Sequence, residues 1–165
     1  MTTRPVAHPA NQTTTPHHPP IEGEKMSATP RVIVRVTGEP IGQGNIRHLG
    51  KGRPAVHQNA KRLKPWREAI TAQTRAQMAE QKIAPFDGPV NLFAVFWMPR
   101  GKTVKREQHT VRPDIDHLGR ALCDAITASG AVRDDSQIIT MTLHKAYETP
   151  EKPPGVGFFL EAVAA

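Results

Sequence analysis

Residues 90–138 read VNLFAVFWMPRGKTVKREQHTVRPDIDHLGRALCDAITASGAVRDDSQI, and this stretch fixes where the rest of the chain must go. Val90–Met98 is almost uninterruptedly apolar and follows the turn Asp87-Gly88-Pro89, the pattern of a strand buried on both faces, or nearly so, and central in its sheet. Residues 99–110 form a basic loop. Pro113 marks the start of a helix, on which Ile115, Leu118, Leu122, Ala125 and Ile126 share one side until Gly130 stops it. Residues 136–147 then read as the next strand.

Working outward, residues 31–37 (RVIVRVT) alternate with period two and predict a strand, followed by a long glycine-rich basic loop over 38–52 and a short returning strand over 53–57. Residues 59–82 lack glycine and place Trp66, Ile70, Thr74 and Met78 at helical spacing, which predicts the first long helix with a core-facing stripe. A proline-rich turn over 148–155 leads into a last strand over 156–163, and the two C-terminal strands are expected to pair as an edge hairpin. The resulting order is ββαβαββ: a mixed α/β (α+β) single domain over 30–165. Residues 1–29 are rich in Pro, Thr and His and poor in large apolar side chains, so they predict a disordered tail, with Met26 as an alternative start.

At 165 residues the chain holds about one domain. The longest apolar run is about half of a bilayer span, the N-terminus lacks the succession of a signal peptide, and the single cysteine, Cys123, cannot form an internal disulfide or a Cys-rich zinc site. The expectation is an intracellular, cytoplasmic protein in a reducing compartment with no membrane partner. The net charge of +7 points to a polyanion, and its distribution is informative. Residues 1–29 sum to zero, residues 30–86 carry 11 Lys+Arg against 3 Asp+Glu, and residues 87–165 carry 9 against 10. Five of those 9 (Arg100, Lys102, Lys105, Arg106 and Arg112) lie immediately before a run of aspartates. Cationic flanks around an acidic centre suit a protein that attracts a phosphate backbone while holding a divalent metal against it.

The acidic centre is Asp114, Asp116, Asp124, Asp134 and Asp135. Asp114 and Asp116 are two apart, so an extended backbone points both carboxylates to one side. With the helix starting at Ile115, Asp116, Arg120 and Asp124 follow at steps of four, opposite the apolar stripe. Asp124 is read as an ion-pair partner of Arg120 in preference to a further metal ligand. Asp134 and Asp135 point opposite ways, so one of them joins the pair and the other caps the turn or supports the site from behind. Carboxylates without a Cys or His set favour hard ions such as Mg²⁺ or Mn²⁺. An isolated Asp-x-Asp is weak, because acidic residues are common in first helical turns. Cys123 reads as a packed helix residue, and His109 and His144 have no local partner. Gly42-Gln43-Gly44 lacks the third glycine of a dinucleotide fingerprint, and the loop reads instead as a backbone-tracking element with Asn45, Arg47, Lys51 and Arg53 as phosphate contacts.

Taken in order, Asp114, Ile115, Asp116, Arg120, Asp124, Ala125, Asp134, Asp135 and Gln137 resemble the RusA family of Holliday junction resolvases. The resemblance implies a homodimeric, Mg²⁺-dependent endonuclease that resolves four-way DNA junctions by paired symmetric nicks, often of phage or prophage origin. It places the family's essential aspartates on Asp114, Asp116 and Asp135 and its catalytic lysine on Arg120. That last position is a departure, since arginine does not readily give up a proton. His117 stands where the best-known members have Asn, and reads as a first-turn residue supporting the site. On this reading a metal-activated water attacks the phosphodiester and Arg120 stabilises charge on the phosphate. The rivals are a non-catalytic branched-DNA binder on the same fold and a metal-dependent nuclease for another branched substrate.

Overall fold

A computed structural model of the chain describes residues 29–44, 46–47, 56–57 and 59–164. The expected tail over 1–28, with Met26, and the proposed contacts Asn45, Lys51 and Arg53 lie outside the described residues, and only the backbone of Arg47 is within them.

The period-two pattern of residues 31–37 becomes β1 (Arg31–Thr37), whose Val32, Val34 and Val36 point inward while the alternate residues are exposed. A small antiparallel pair follows, β2 (Ile46–Arg47) with β3 (Val56–His57), and then α1 (Ala60–Glu80). The buried stripe of α1 is Leu63, Trp66, Ile70, Thr74 and Met78. β4 (Val90–Met98) is central, as its sequence requires: every second residue is buried against the helices, and those between are half-covered on the other face. α2 (Ile115–Ser129), one 3-10 turn (Asp135–Gln137), β5 (Ile138–Tyr147) and β6 (Gly155–Ala162) complete the single mixed α/β domain, in the order ββαβαββ when β2 and β3 count as one unit. Both helices cover one face of the four-stranded sheet. Ile115, expected on the apolar side of α2, is exposed; the buried side is carried by Leu118, Ala121, Leu122, Ala125 and Ile126.

One strand expectation is corrected. β5 and β6 do not form an edge hairpin; the strand order is β1-β6-β4-β5, with β6 antiparallel to both β1 and β4 and β5 parallel to β4. The physical reason is in the two compositions. β6 buries Val156, Phe158 and Leu160, and it gains most from the inside position. β5 carries Thr140, Thr142 and His144, which water can solvate at an edge. The parallel β4–β5 pair needs a crossover, and the segment from the basic loop through α2 supplies it. That topology lays α2 along β5, with the start of the helix near the C-terminal end of β5 and Asp135 at its N-terminal end, and Asp116 and Asp135 line one cleft between them.

α2 is locked to α1 by polar contacts that local sequence patterns do not reveal. Arg75 donates to the Ser129 carbonyl at 3.1 Å and to the Ala128 carbonyl at 2.7 Å, satisfying helix-end acceptors with a cation, and Thr71 Oγ1 donates to the Ala125 carbonyl at 3.1 Å. At Gly155 the β1 backbone comes so close that an added Cβ would overlap the Val36 carbonyl oxygen. Because backbone paired in a strand ladder cannot yield cheaply, Gly155→Ala is expected to destabilise the fold by about 2–3 kcal/mol, read as a lower midpoint in chemical denaturation.

Candidate metal centre

Asp114 stands at the N-cap of α2 with an extended backbone (φ −71°, ψ 149°), the usual conformation for a capping aspartate. Its side chain, however, accepts no capping hydrogen bond. A carboxylate left free where capping would normally engage it is available to a ligand. Asp116, in the first turn, and His117 bring their ligand atoms to within 4.8 Å of one another and of Asp114. His117 Nδ1 lies 4.0 Å from Asp114 Oδ2 and Nε2 lies 3.8 Å from Asp116 Oδ2, so the imidazole sits between the two carboxylates. Both aspartates are exposed and His117 is half-buried.

Two glycines let this cluster form. A Cβ at Gly42 would stand 3.0 Å from the Cβ atoms of both His117 and Pro113, and the Gln43 amide donates to the His117 carbonyl at 2.9 Å, so the 39–44 segment lies directly against the start of α2. A Cβ at Gly119 would meet Leu143 Cδ1 at 2.7 Å, so its absence lets the same turn of α2 settle onto β5.

The first turn of α2 borders two clefts. One, of about 630 Å³, is lined by Asp114, His117, Arg112 and Arg62, with Arg62 paired to Glu39 at 2.6 Å. The other, of about 480 Å³, is lined by Asp116, Arg120, Asp124 and Asp135. Asp135 therefore faces the cleft of Asp116 but lies outside the close group that His117 joins. The sequence expectation placed His117 in a supporting position. Its spacing from Asp114, three residues on across a helix start, was the available clue.

Arg120 Nη2 approaches Asp116 Oδ2 at 3.3 Å. Asp124 pairs with Arg67 of α1 at 3.1 Å, so the expected Arg120–Asp124 pair is replaced by a bridge between helices that spacing along α2 alone does not reveal. Asp134 caps the 3-10 turn by accepting from the Ser136 amide at 2.9 Å, and hydrogen bonding from the Ser136 side chain, then from this amide, holds its carboxyl below the usual range. Cys123 has its thiol pushed up to about 11 by burial and then by the charges of Asp135 and Asp124, which makes it a poor nucleophile at neutral pH.

Gln137 ties the 3-10 turn to the 86–88 segment. Its Nε2 donates to the carbonyls of Phe86 and Gly88, each at 2.9 Å, and its Oε1 accepts from the Arg133 amide at 2.7 Å. Gln137→Ala takes the donor from the partly buried Phe86 carbonyl, while the Gly88 carbonyl and the Arg133 amide are exposed and can turn to water. The expected cost is about 1 kcal/mol, read in a thermal melt.

In the basic loop, Arg100 and Arg106 are largely spent on folding. Arg100 donates to the Arg106 carbonyl at 3.1 Å and lies over the Tyr147 ring at 5.1 Å, while Arg106 Nε donates to Tyr147 Oη at 2.8 Å. His109 packs edge-on against the same ring, and burial lowers its pKa. Lys102 and Lys105 are exposed, as is Arg112. No described helix is long and apolar enough to cross a membrane.

The donor set fits a divalent cation: the Asp114 carboxylate that its helix leaves uncapped, the exposed Asp116 beside it, a third acid in the adjoining cleft, and cations on the flanks to receive phosphate. Among known proteins, the family model described as endodeoxyribonuclease RusA matches residues 37–156. No curated protein matches the chain.

Proposed function

The chain belongs to the RusA endodeoxyribonuclease family, and from that premise we propose that it is a Mg²⁺-dependent nuclease that resolves four-way DNA junctions by paired symmetric nicks. The observation that carries the metal-dependent reading is the close group of Asp114, Asp116 and His117, with an N-cap carboxylate that its own helix does not use. Asp114 and Asp116 hold the ion, and Asp135, which shares a cleft with Asp116, is the third carboxylate. Mn²⁺ is the alternative ion, since carboxylate and water ligands suit it as they suit Mg²⁺.

A divalent ion bound there supplies Lewis-acid polarisation of the scissile phosphate and lowers the pKa of water. The chain's own residues supply the rest. His117, wedged between the two aspartates, sets their separation. Arg120 holds charge beside Asp116 and, being exposed, can turn to the phosphate; as a guanidinium it neutralises charge but does not exchange a proton. Lys102, Lys105 and Arg112 draw the DNA backbone towards the acids, and Asn45, Arg47, Lys51 and Arg53 are further candidate phosphate contacts by sequence. Arg100 and Arg106 contribute mainly by shaping the loop. A homodimer with two such sites related by a two-fold axis accounts for paired nicks on opposed strands. Residues 30–165 form the nuclease domain and 1–29 its tail, and the activity belongs to DNA recombination and repair inside a bacterial or phage-infected cell.

The test is incubation of a four-way junction with the protein, with and without Mg²⁺ or Mn²⁺, beside linear duplex and other branched substrates. Metal-dependent nicks at symmetric positions on the four-way junction alone are the expected result. A junction that shifts in a gel yet stays uncut in both ions would identify a non-catalytic binder instead.

A further inference from the structure

The loop between β4 and α2 runs from Pro99 to Pro113 with no strand or helix of its own, and it ends on Asp114. A loop of that length keeps its last residue in place only if something rigid ties it down, because each free residue costs about 1–2 kcal/mol of entropy to order. The tie is the inward face of β5 at its C-terminal end, where Lys145 and Tyr147, two residues apart, point the same way. Tyr147 takes the middle of the loop through Arg100, Arg106 and His109. Lys145 takes its end: Nζ donates to the Val111 carbonyl at 2.8 Å and to the Pro113 carbonyl at 2.9 Å.

We infer that Lys145 is a positioning residue for the metal centre, fixing Asp114 in the carboxylate group by holding the two carbonyls that lead into it. The Pro113 carbonyl and the Asp114 amide belong to one planar peptide unit, so fixing that oxygen leaves the Asp114 Cα little freedom to move. The anchor itself is firm. Lys145 lies opposite Phe96 in the parallel ladder, and Phe96 is fully buried in the central strand. Partly burying an ammonium has a cost, which charge-assisted bonds to two carbonyl groups offset. A bond set of this kind steadies backbone rather than exposing a charge to DNA.

The inference rests on the metal reading of Asp114, Asp116 and their neighbours, and the experiment separates the two. Mn²⁺ binding to the full chain is measured by calorimetry for wild type, Lys145→Met, Lys145→Arg and Asp114→Asn, alongside junction binding in EDTA. Loss of a group that orients a metal ligand typically weakens metal binding by about 10- to 100-fold. That loss is expected for Lys145→Met, with Lys145→Arg, which still offers donors to both carbonyls, recovering most of it. Junction affinity in EDTA should stay within about twofold of wild type, since no phosphate contact has been removed. Should Lys145→Met not fold, Lys145→Gln, with a single amide donor group, is expected to show an intermediate loss. Equal Mn²⁺ affinity in wild type and the variant overturns the inference while leaving the metal reading intact. Weaker junction binding in EDTA at unchanged Mn²⁺ affinity also overturns it, by making Lys145 a DNA contact. A wild type that binds no Mn²⁺ overturns both.

Discussion

Asp114→Asn is expected to cut the nicking rate on a four-way junction by about 10³-fold or more, while junction binding measured in EDTA holds or rises. A metal ion contributes several kcal/mol to the stabilisation of charge on a phosphoryl transition state, and each 1.36 kcal/mol is tenfold in rate. Exchanging a carboxylate for an amide of the same shape removes most of the attraction for the ion. It also removes one negative charge from the path of the phosphate backbone, which is why affinity does not fall. The position makes the experiment clean. An aspartate at a helix N-cap usually accepts a backbone hydrogen bond whose loss costs stability, but the Asp114 side chain accepts none, and Asn is itself a good N-cap. The melting temperature should therefore stay close to wild type. Single-turnover cleavage at saturating protein is the measurement; nicking at the wild-type rate would remove Asp114 from the metal set.

Junction affinity is expected to fall by about 10³- to 10⁵-fold between 50 and 200 mM salt if roughly 6–10 phosphates are neutralised, a range the cationic flanks can supply. The described structure narrows which cations to test. Arg100 and Arg106 bind the Tyr147 ring, its hydroxyl and the loop's own carbonyls, so replacing them would disturb the fold and the DNA surface together. Lys102 and Lys105 are exposed, and Lys102→Glu with Lys105→Glu should lower both the affinity and the slope of log K against log salt, by about one unit per lost contact. Filter binding across a salt series, on the protein with and without the double change, reads both quantities. An unchanged slope would place the DNA away from this loop.

The comparison of α2 with the strands shows why some features were legible and others were not. The helix, its boundaries and the step-of-four row of Asp116, Arg120 and Asp124 follow from local periodicity, and the helix forms as Ile115–Ser129. Which acid pairs with which base does not follow from periodicity. Arg67 lies 57 positions before Asp124 and meets it only because α1 packs on α2, so the local guess of an Arg120–Asp124 pair lost to a partner from another helix. The same holds for Gln137, whose place in the Asp-Asp-x-Gln run was legible but whose function, clasping the 86–88 turn, was not.

By itself the sequence determined the order of the elements, the central position of β4, the core stripes of both helices and the acidic centre with its basic approach, because each depends on residues close together in the chain. Only the tertiary structure decided that β6 enters between β1 and β4, that His117 joins Asp114 and Asp116 while Asp135 faces the neighbouring cleft, and that Lys145 holds the loop leading into Asp114. Those outcomes depend on competition for buried positions and on donors meeting acceptors across long loops, and neither leaves a local trace in sequence spacing.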